Sequence, residues 1–129
     1  MSYTYLASPY THPSPYIREL RFLAAELATV HLLRSGQHVY SPIVHCHALA
    51  QRHTLPTHFA FWKTYNEAMI DSCRELKILG LPEFEHSAGV KAESDYALLL
   101  NKPVSIIDPS VNGAEDVNTI LSKLAPRFC

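Results

Sequence analysis

ELKILGLPEFEHSAGVKAESDYALLLN, residues 75–101, is the stretch whose reading decides the fold. Residues 76–81 are a short apolar run of the length of a buried strand. Pro82 and the polar residues after it cannot extend that run. Ser87, Ala88 and Gly89 then lead into a helical pattern that includes Val90, Glu93, Ala97 and Leu100. In such a strand–loop–helix unit the loop and the first helical turn lie beyond the carboxyl end of the strand, where open α/β sheets hold their ligands. Ser87 has the chemistry of an N-cap. Gly89 lets a ligand approach the backbone N–H groups of the helix start. Glu93 falls about two turns in, on the face shared with Gly89, Val90 and Ala97. That face turns toward the sheet, and an acid is rarely placed there without a partner or a task.

On both sides of this unit, strands and helices alternate. Residues 3–7 are a β-favouring run, ended by a loop over 8–15 with three prolines, Pro9, Pro13 and Pro15. Ser14 and Pro15 supply an N-cap and a first-turn proline. The helix that follows has an expected inward stripe of Ile17, Leu20, Leu23 or Ala24, Leu27, Val30 and Leu33 or Arg34, and Ser35-Gly36 closes it. Residues 38–43 carry a strand broken at Pro42. Residues 44–57, which hold His45, Cys46, His47 and His53, read as a loop with a short helical turn at 48–52. A second helix runs over about 58–73, with Phe61, Trp62, Tyr65, Ala68, Met69 and Cys73 as its apolar face. Residues 103–107 form a further strand, stopped by Asp108, Pro109 and Ser110. A last helix spans 113–124, with Val117, Ile120, Leu121 and Leu124 inward. This order predicts an α/β fold: a parallel sheet with helices on both faces and right-handed crossovers. The loops after residues 7, 43, 81 and 107 then open on one edge of the sheet, and the polar clusters gather there.

Composition narrows the function classes. A chain of 129 residues suits one domain, 1–129, with a real core. A net charge of −1 offers no electrostatic grip on a nucleic-acid polymer or an anionic membrane. No apolar run reaches the length of a membrane span, and the N-terminus lacks a signal-peptide pattern. Cys46, Cys73 and Cys129 are odd in number and far apart. That suits a reducing compartment, so a cytoplasmic protein is expected.

Three motifs carry a family resemblance: YLASPY at residues 5–10, SPIVH at 41–45, and HSAGVKAE at 86–93. Together they resemble the nucleoside 2-deoxyribosyltransferase-like superfamily, which includes deoxyribosyltransferases and nucleoside 5′-monophosphate N-glycosidases. The nearest likeness is to an uncharacterised bacterial and phage branch with YLASPY, SPIxH and SxGVxxE. The resemblance covers residues 3–107. It implies a small flavodoxin/Rossmann-like three-layer fold with a four- or five-stranded parallel sheet. It also implies cleavage of an N-glycosidic bond. Glu93 falls on the family's nucleophilic glutamate, and Tyr5 on a tyrosine that orients it. The logic is that of a retaining glycosidase, in which a carboxylate captures an oxocarbenium-like centre. A nearby helix N-terminus is expected to favour the ionised carboxylate. Ser87 stands where the transferases carry an aspartate and the monophosphate glycosidases a phosphate-binding serine. The implied substrate is therefore a nucleotide, or failing that a nucleoside. Ser8, Tyr10, Thr11, Gly89, Arg21 and His45 are the further candidates for holding it, with Arg18 beside Arg21. No cofactor and no metal are implied, and family members complete their pockets across a homo-oligomer.

The chain departs from the family at informative places. Asn66 stands where an aspartate helps the base leave, and an amide is no acid. Glu67 beside it and Asp71 a turn later are the candidate substitutes. Arg74 replaces a common acid, and Pro82-Glu83-Phe84 a common Pro-Gly-Trp. Other readings stay open. The pocket could serve a non-catalytic nucleotide-binding or sensing domain. His45, His47 and His53 could ligate a metal. Phe59, Phe61, Trp62 and Tyr65 could stack a base or form a subunit contact. Tyr40, like Tyr10, follows a strand and could face the crevice. Arg18 and Arg21 could reach a phosphate or lie on a solvated helix face.

Overall fold

The computed structural model describes residues 2–56, 58–109 and 115–124. Four parallel strands form its sheet: β1 (Thr4–Ala7), β2 (Val39–Tyr40), β3 (Glu75–Leu79) and β4 (Val104–Ile107), in the order β2-β1-β3-β4. The register sets Tyr5 opposite Tyr40 on one side and Leu76 on the other. Among the described residues, five α-helices cover the sheet: α1 (Pro15–Arg34), α2 (Pro42–His53), α3 (Phe59–Asp71), α4 (Ala88–Leu99) and α5 (Glu115–Leu124). The expected α/β three-layer architecture is therefore present. Alternate side chains of β1 serve opposite layers, as strand pleating requires. Leu6 joins Leu20, Ala24, Ala28 and Ile120 from α1 and α5. Tyr5 and Ala7 join Ile70, Val90 and Ala97 from α3 and α4.

The strand order reverses between β1 and β3, so the loops after these two strands part and leave a crevice, as in other open α/β sheets. Gly80 lets the second of these loops start close to the sheet. Its N–H donates to Ile107 O at 3.0 Å, and a Cβ there would lie 3.2 Å from that same oxygen. Gly36, at φ 84°, ends α1 with N–H bonds from Gly36 to Leu33 O and from Gln37 to Leu32 O.

Several sequence expectations need correction. The segment 44–57, expected as a loop, is mostly helix. Ser41 Oγ caps α2 by accepting from Val44 N at 3.2 Å, and Pro42 occupies the first turn. This is the same Ser-Pro start that opens α1, and it cuts β2 to two residues. The inward face of α1 is Leu20, Arg21, Ala24, Ala25, Ala28, Thr29 and Leu32, while Leu33 is exposed. Small alanines let this helix approach the sheet closely, so the larger residues flank the contact. On α3 the inward line is Trp62, Asn66 and Ile70, and Phe61, Tyr65 and Ala68 face outward. Leu100 is the exposed C-cap of α4 rather than part of its buried face. The expected helix start at Gly113, the stop at Ser110 and Cys129 lie outside the described residues.

Candidate active site

A cavity of about 390 Å³ opens in the crevice. Its walls come from the loop after β1, from α1, α2 and α3, and from the loop and helix start after β3. Glu93 lies on its lining, only 7% exposed. The i, i+3 and i+4 spacing that buries Val90 and Ala97 carries Glu93 to the same side of α4. Tyr5, fully buried on β1, donates its hydroxyl to Glu93 Oε2 from behind. Burial raises the carboxyl to about 7, and the Tyr5 hydrogen bond opposes it only in part. The expectation that the helix start keeps this acid readily ionised therefore gives way to burial. Tyr5 itself is pushed well above the ordinary tyrosine value, first by burial and then by the neighbouring carboxylate, so it remains a donor. Cys46 lines the same cavity, and burial followed by Glu93 lifts its thiol to about 11. It is a neutral wall at physiological pH.

Opposite kinds of polar group meet at the start of α4. Ser87 Oγ caps the helix by accepting from Val90 N at 3.2 Å. Ser87, Ala88 and Gly89 all line the cavity, so the helix start and its partial positive charge face it. Ser8, Thr11 and Arg21 line it as well. Arg21 is 7% exposed. Its Nη1 donates to Thr11 O at 3.0 Å, and its Nη2 stands 3.9 Å from Glu83 Oε2. Glu83 holds a left-handed φ of 69°. Among the described residues, four buried side-chain atoms have no hydrogen-bond partner: Ser8 Oγ, Arg21 Nε, Tyr40 Oη and Asn66 Oδ1. Three of the four belong to residues on this cavity. Buried polar atoms are ordinarily satisfied, so these three are unpaired polar atoms within the cavity wall.

The remaining candidates divide. Tyr10 and Asn66 line the cavity. Glu67 does not, and neither does Asp71, which accepts from Tyr96 Oη at 2.8 Å on the outside of α3 and α4. Neither acid reaches the cavity wall on which Asn66 stands. Arg18 ties down the preceding loop through His12 O and Pro13 O. Tyr40 is part-buried against Tyr3, Tyr5 and His45. His45 is outside the cavity and stacks on exposed Tyr65, with rings 3° from parallel. Of the α2 histidines, the one that reaches the cavity is His47, two residues on. It is 3% exposed, with Nε2 2.8 Å from Glu19 Oε2 and Nδ1 2.5 Å from Tyr10 Oη. His47, Glu19, Cys46, His12, His86 and Glu83 were not singled out for this site by the sequence. The two-residue stagger of His45 and His47 would have found His47 once the segment was read as helix, since those residues then face different ways. His45, His47 and His53 do not converge, and among the described residues no group of three metal-binding side chains is suited to an ion. Of the aromatic residues on α3, Trp62 lines the cavity.

The chain belongs to the family described as "Domain of unknown function (DUF1937)", whose model matches residues 2–109. That span contains every residue of the cavity. No curated protein matches the chain. Among the described residues, no helix is long and apolar enough to cross a membrane.

Proposed function

We propose that this DUF1937 family member cleaves the N-glycosidic bond of a nucleoside 5′-monophosphate, as a hydrolase or a deoxyribosyltransferase. One observation carries the reading. A buried carboxylate, Glu93, is held by Tyr5 on the same cavity as a capped helix start with an adjacent buried arginine. The resemblance of YLASPY, SPIVH and HSAGVKAE to the nucleoside 2-deoxyribosyltransferase-like superfamily supports it. The 5′-phosphate would lie against the N–H groups of Ala88 and Gly89, with the Ser8 hydroxyl and the Arg21 guanidinium as further donors. The sugar's anomeric carbon would then face Glu93. A Glu93 carboxylate oxygen attacks that carbon, and the electrons of the broken C–N bond leave with the base. Water, or a second base, attacks the glycosyl ester and frees Glu93. Trp62, Ile43 and Ala50 supply an apolar wall for the base.

Chromatographic detection of free base from a panel of 5′-monophosphates and nucleosides tests this. Wild type should release base, and Glu93→Gln should lose at least about a thousandfold. Ser87→Asp should weaken monophosphates far more than nucleosides, because a second anion repels the phosphate while still capping the helix. Tight monophosphate binding with no release would instead assign a sensing domain. A homo-oligomer and a cytoplasmic setting belong to the same proposal. They rest on the family resemblance, and on unpaired cysteines such as Cys46 and Cys73.

A further inference from the structure

Breaking a C–N bond to a nucleobase needs a proton for the departing nitrogen, and Asn66 cannot supply one. Among the groups around the cavity, one set forms a connected chain. His47 is almost fully buried on α2, and its ring stacks on Phe22 with centroids 4.3 Å apart. Both of its nitrogens are taken. Nε2 meets Glu19 Oε2 of α1 at 2.8 Å, and Nδ1 meets Tyr10 Oη at 2.5 Å. An ionised carboxylate only accepts, so Nε2 must carry a hydrogen. In the neutral ring Nδ1 is then bare, and the Tyr10 hydroxyl donates to it. Protonating the ring reverses that bond. Nδ1–H then donates to the Tyr10 oxygen, and the phenolic hydrogen is released to point elsewhere. Tyr10 and His47 both line the cavity, while the Glu19 side chain is 47% exposed. The chain therefore runs from the cavity through a buried imidazole to solvent.

We propose that Tyr10 is the proton donor to the departing base, with His47 and Glu19 as the positioning residues that recharge it. The inference rests on the glycosidic reading above and names its missing acid. As the C1′–N bond breaks, its electron pair stays on the base nitrogen, which takes the Tyr10 hydroxyl proton. The Tyr10 oxygen takes the Nδ1 proton of the His47 imidazolium, and Glu19 holds the ring's Nε2–H throughout. When water attacks the glycosyl–Glu93 ester, its proton passes to Tyr10 and the Tyr10 proton returns to His47 Nδ1. The relay is then reset, and the net reaction is hydrolysis alone. Histidine suits this role because it is the side chain that changes charge near neutral pH.

The test compares two leaving groups on one sugar phosphate. One is the 5′-monophosphate that wild type cleaves best; the other is the matching 4-nitrophenyl glycoside 5-phosphate, whose phenolate departs without a proton. Tyr10→Phe and His47→Gln should lose about a hundredfold or more on the nucleotide. In kcat/KM on the nitrophenyl compound, which reports bond cleavage and not the later hydrolysis of the ester, they should stay within about threefold of wild type, and Glu93→Gln should lose both. The relay is overturned if Tyr10→Phe cleaves the nucleotide normally, or if its kcat/KM falls by the same factor on both substrates while wild type remains active and Glu93-dependent. Failure of the glycosidic reading looks different: wild type cleaves neither substrate, or Glu93→Gln is undiminished, and the relay then falls with it. Should His47→Gln not fold, Tyr10→Phe removes one hydroxyl only and Glu19→Gln tests the outer end. Nitrogen NMR of histidine-labelled protein reads the tautomer directly. Neutral His47 should carry its proton on Nε2, and a proton on Nδ1 would overturn the assignment.

Discussion

Burial raises the Glu93 carboxyl from an ordinary 4.5 to about 7, with the Tyr5 hydrogen bond opposing it. The unfolded chain thus releases this proton near the lower value and the folded chain near the higher one. Between them the folded state binds more protons, so stability is fullest below about pH 4.5 and falls as pH rises toward 7. Above that the loss is complete, at roughly 3 kcal/mol. Glu93→Gln keeps an acceptor for Tyr5 and removes the charge. Urea unfolding at pH 8 should show the variant more stable by roughly 2–3 kcal/mol, and nearly matched to wild type at pH 4. Equal stability at pH 8 would mean that the carboxylate is better solvated than its burial implies. Activity on the nitrophenyl compound, which needs no proton donor, should run the other way, with kcat/KM rising through pH 7 as the nucleophile ionises. Much of this residue-scale picture was legible. Glu93 shares its helical phase with Val90 and Ala97, and an acid in that phase announces itself. The Glu19–His47–Tyr10 chain was not legible, because no local pattern pairs residues 28 and 37 positions apart.

At the scale of elements, Ser-Pro starts explain both what could be read and what was missed. Ser14-Pro15 was read as a helix start; Ser41-Pro42 has the same form and begins α2. Three histidines and Pro56 gave residues 44–57 the look of a loop, and no apolar stripe of the usual width countered it. The cavity's α2 wall, with Ile43, Cys46, His47 and Ala50, was lost with that helix. Arg21 was missed as a buried group for a related reason. Alanines at 24, 25 and 28 rotate the inward face of α1 away from its leucines, and periodicity weighted by size points elsewhere. The α2 cap has a measurable consequence. Ser41 Oγ satisfies Val44 N, so Ser41→Ala should destabilise the protein by about 1 kcal/mol. Fraying of the first turn would also loosen Ile43 and Cys46. The expected result is a lower melting temperature with KM raised severalfold and kcat changed less. An unchanged melting temperature would show that the tertiary contacts of α2 hold its first turn without the cap.

For the whole molecule, the unsolved question is what covers the open side of the cavity. The parallel sheet and the three layers followed from the alternation of strands and helices, but a single sequence does not mark which apolar residues meet a second copy. Two patches compete. Phe61 and Tyr65 are 46% and 39% exposed on α3, flanking Trp62, which reaches the cavity. Leu98, Leu99 and Ile106 are 56%, 77% and 59% exposed at the end of α4 and on β4. A stable dimer needs roughly 800 Å² from each partner, and aromatic residues are favoured in such contacts. The α3 patch has the aromatic content and adjoins the cavity, so a contact there would also enclose the nucleotide. Light scattering at micromolar concentration should therefore report a dimer. Joint Phe61→Glu and Tyr65→Glu should yield a monomer that binds substrate at least about tenfold more weakly, since charges in an interface core oppose association. Leu99→Glu should leave both properties unchanged. A wild-type monomer would exclude the shared pocket, and a dimer broken only by Leu99→Glu would place the contact on the β4 side, away from the cavity that α3 helps to wall.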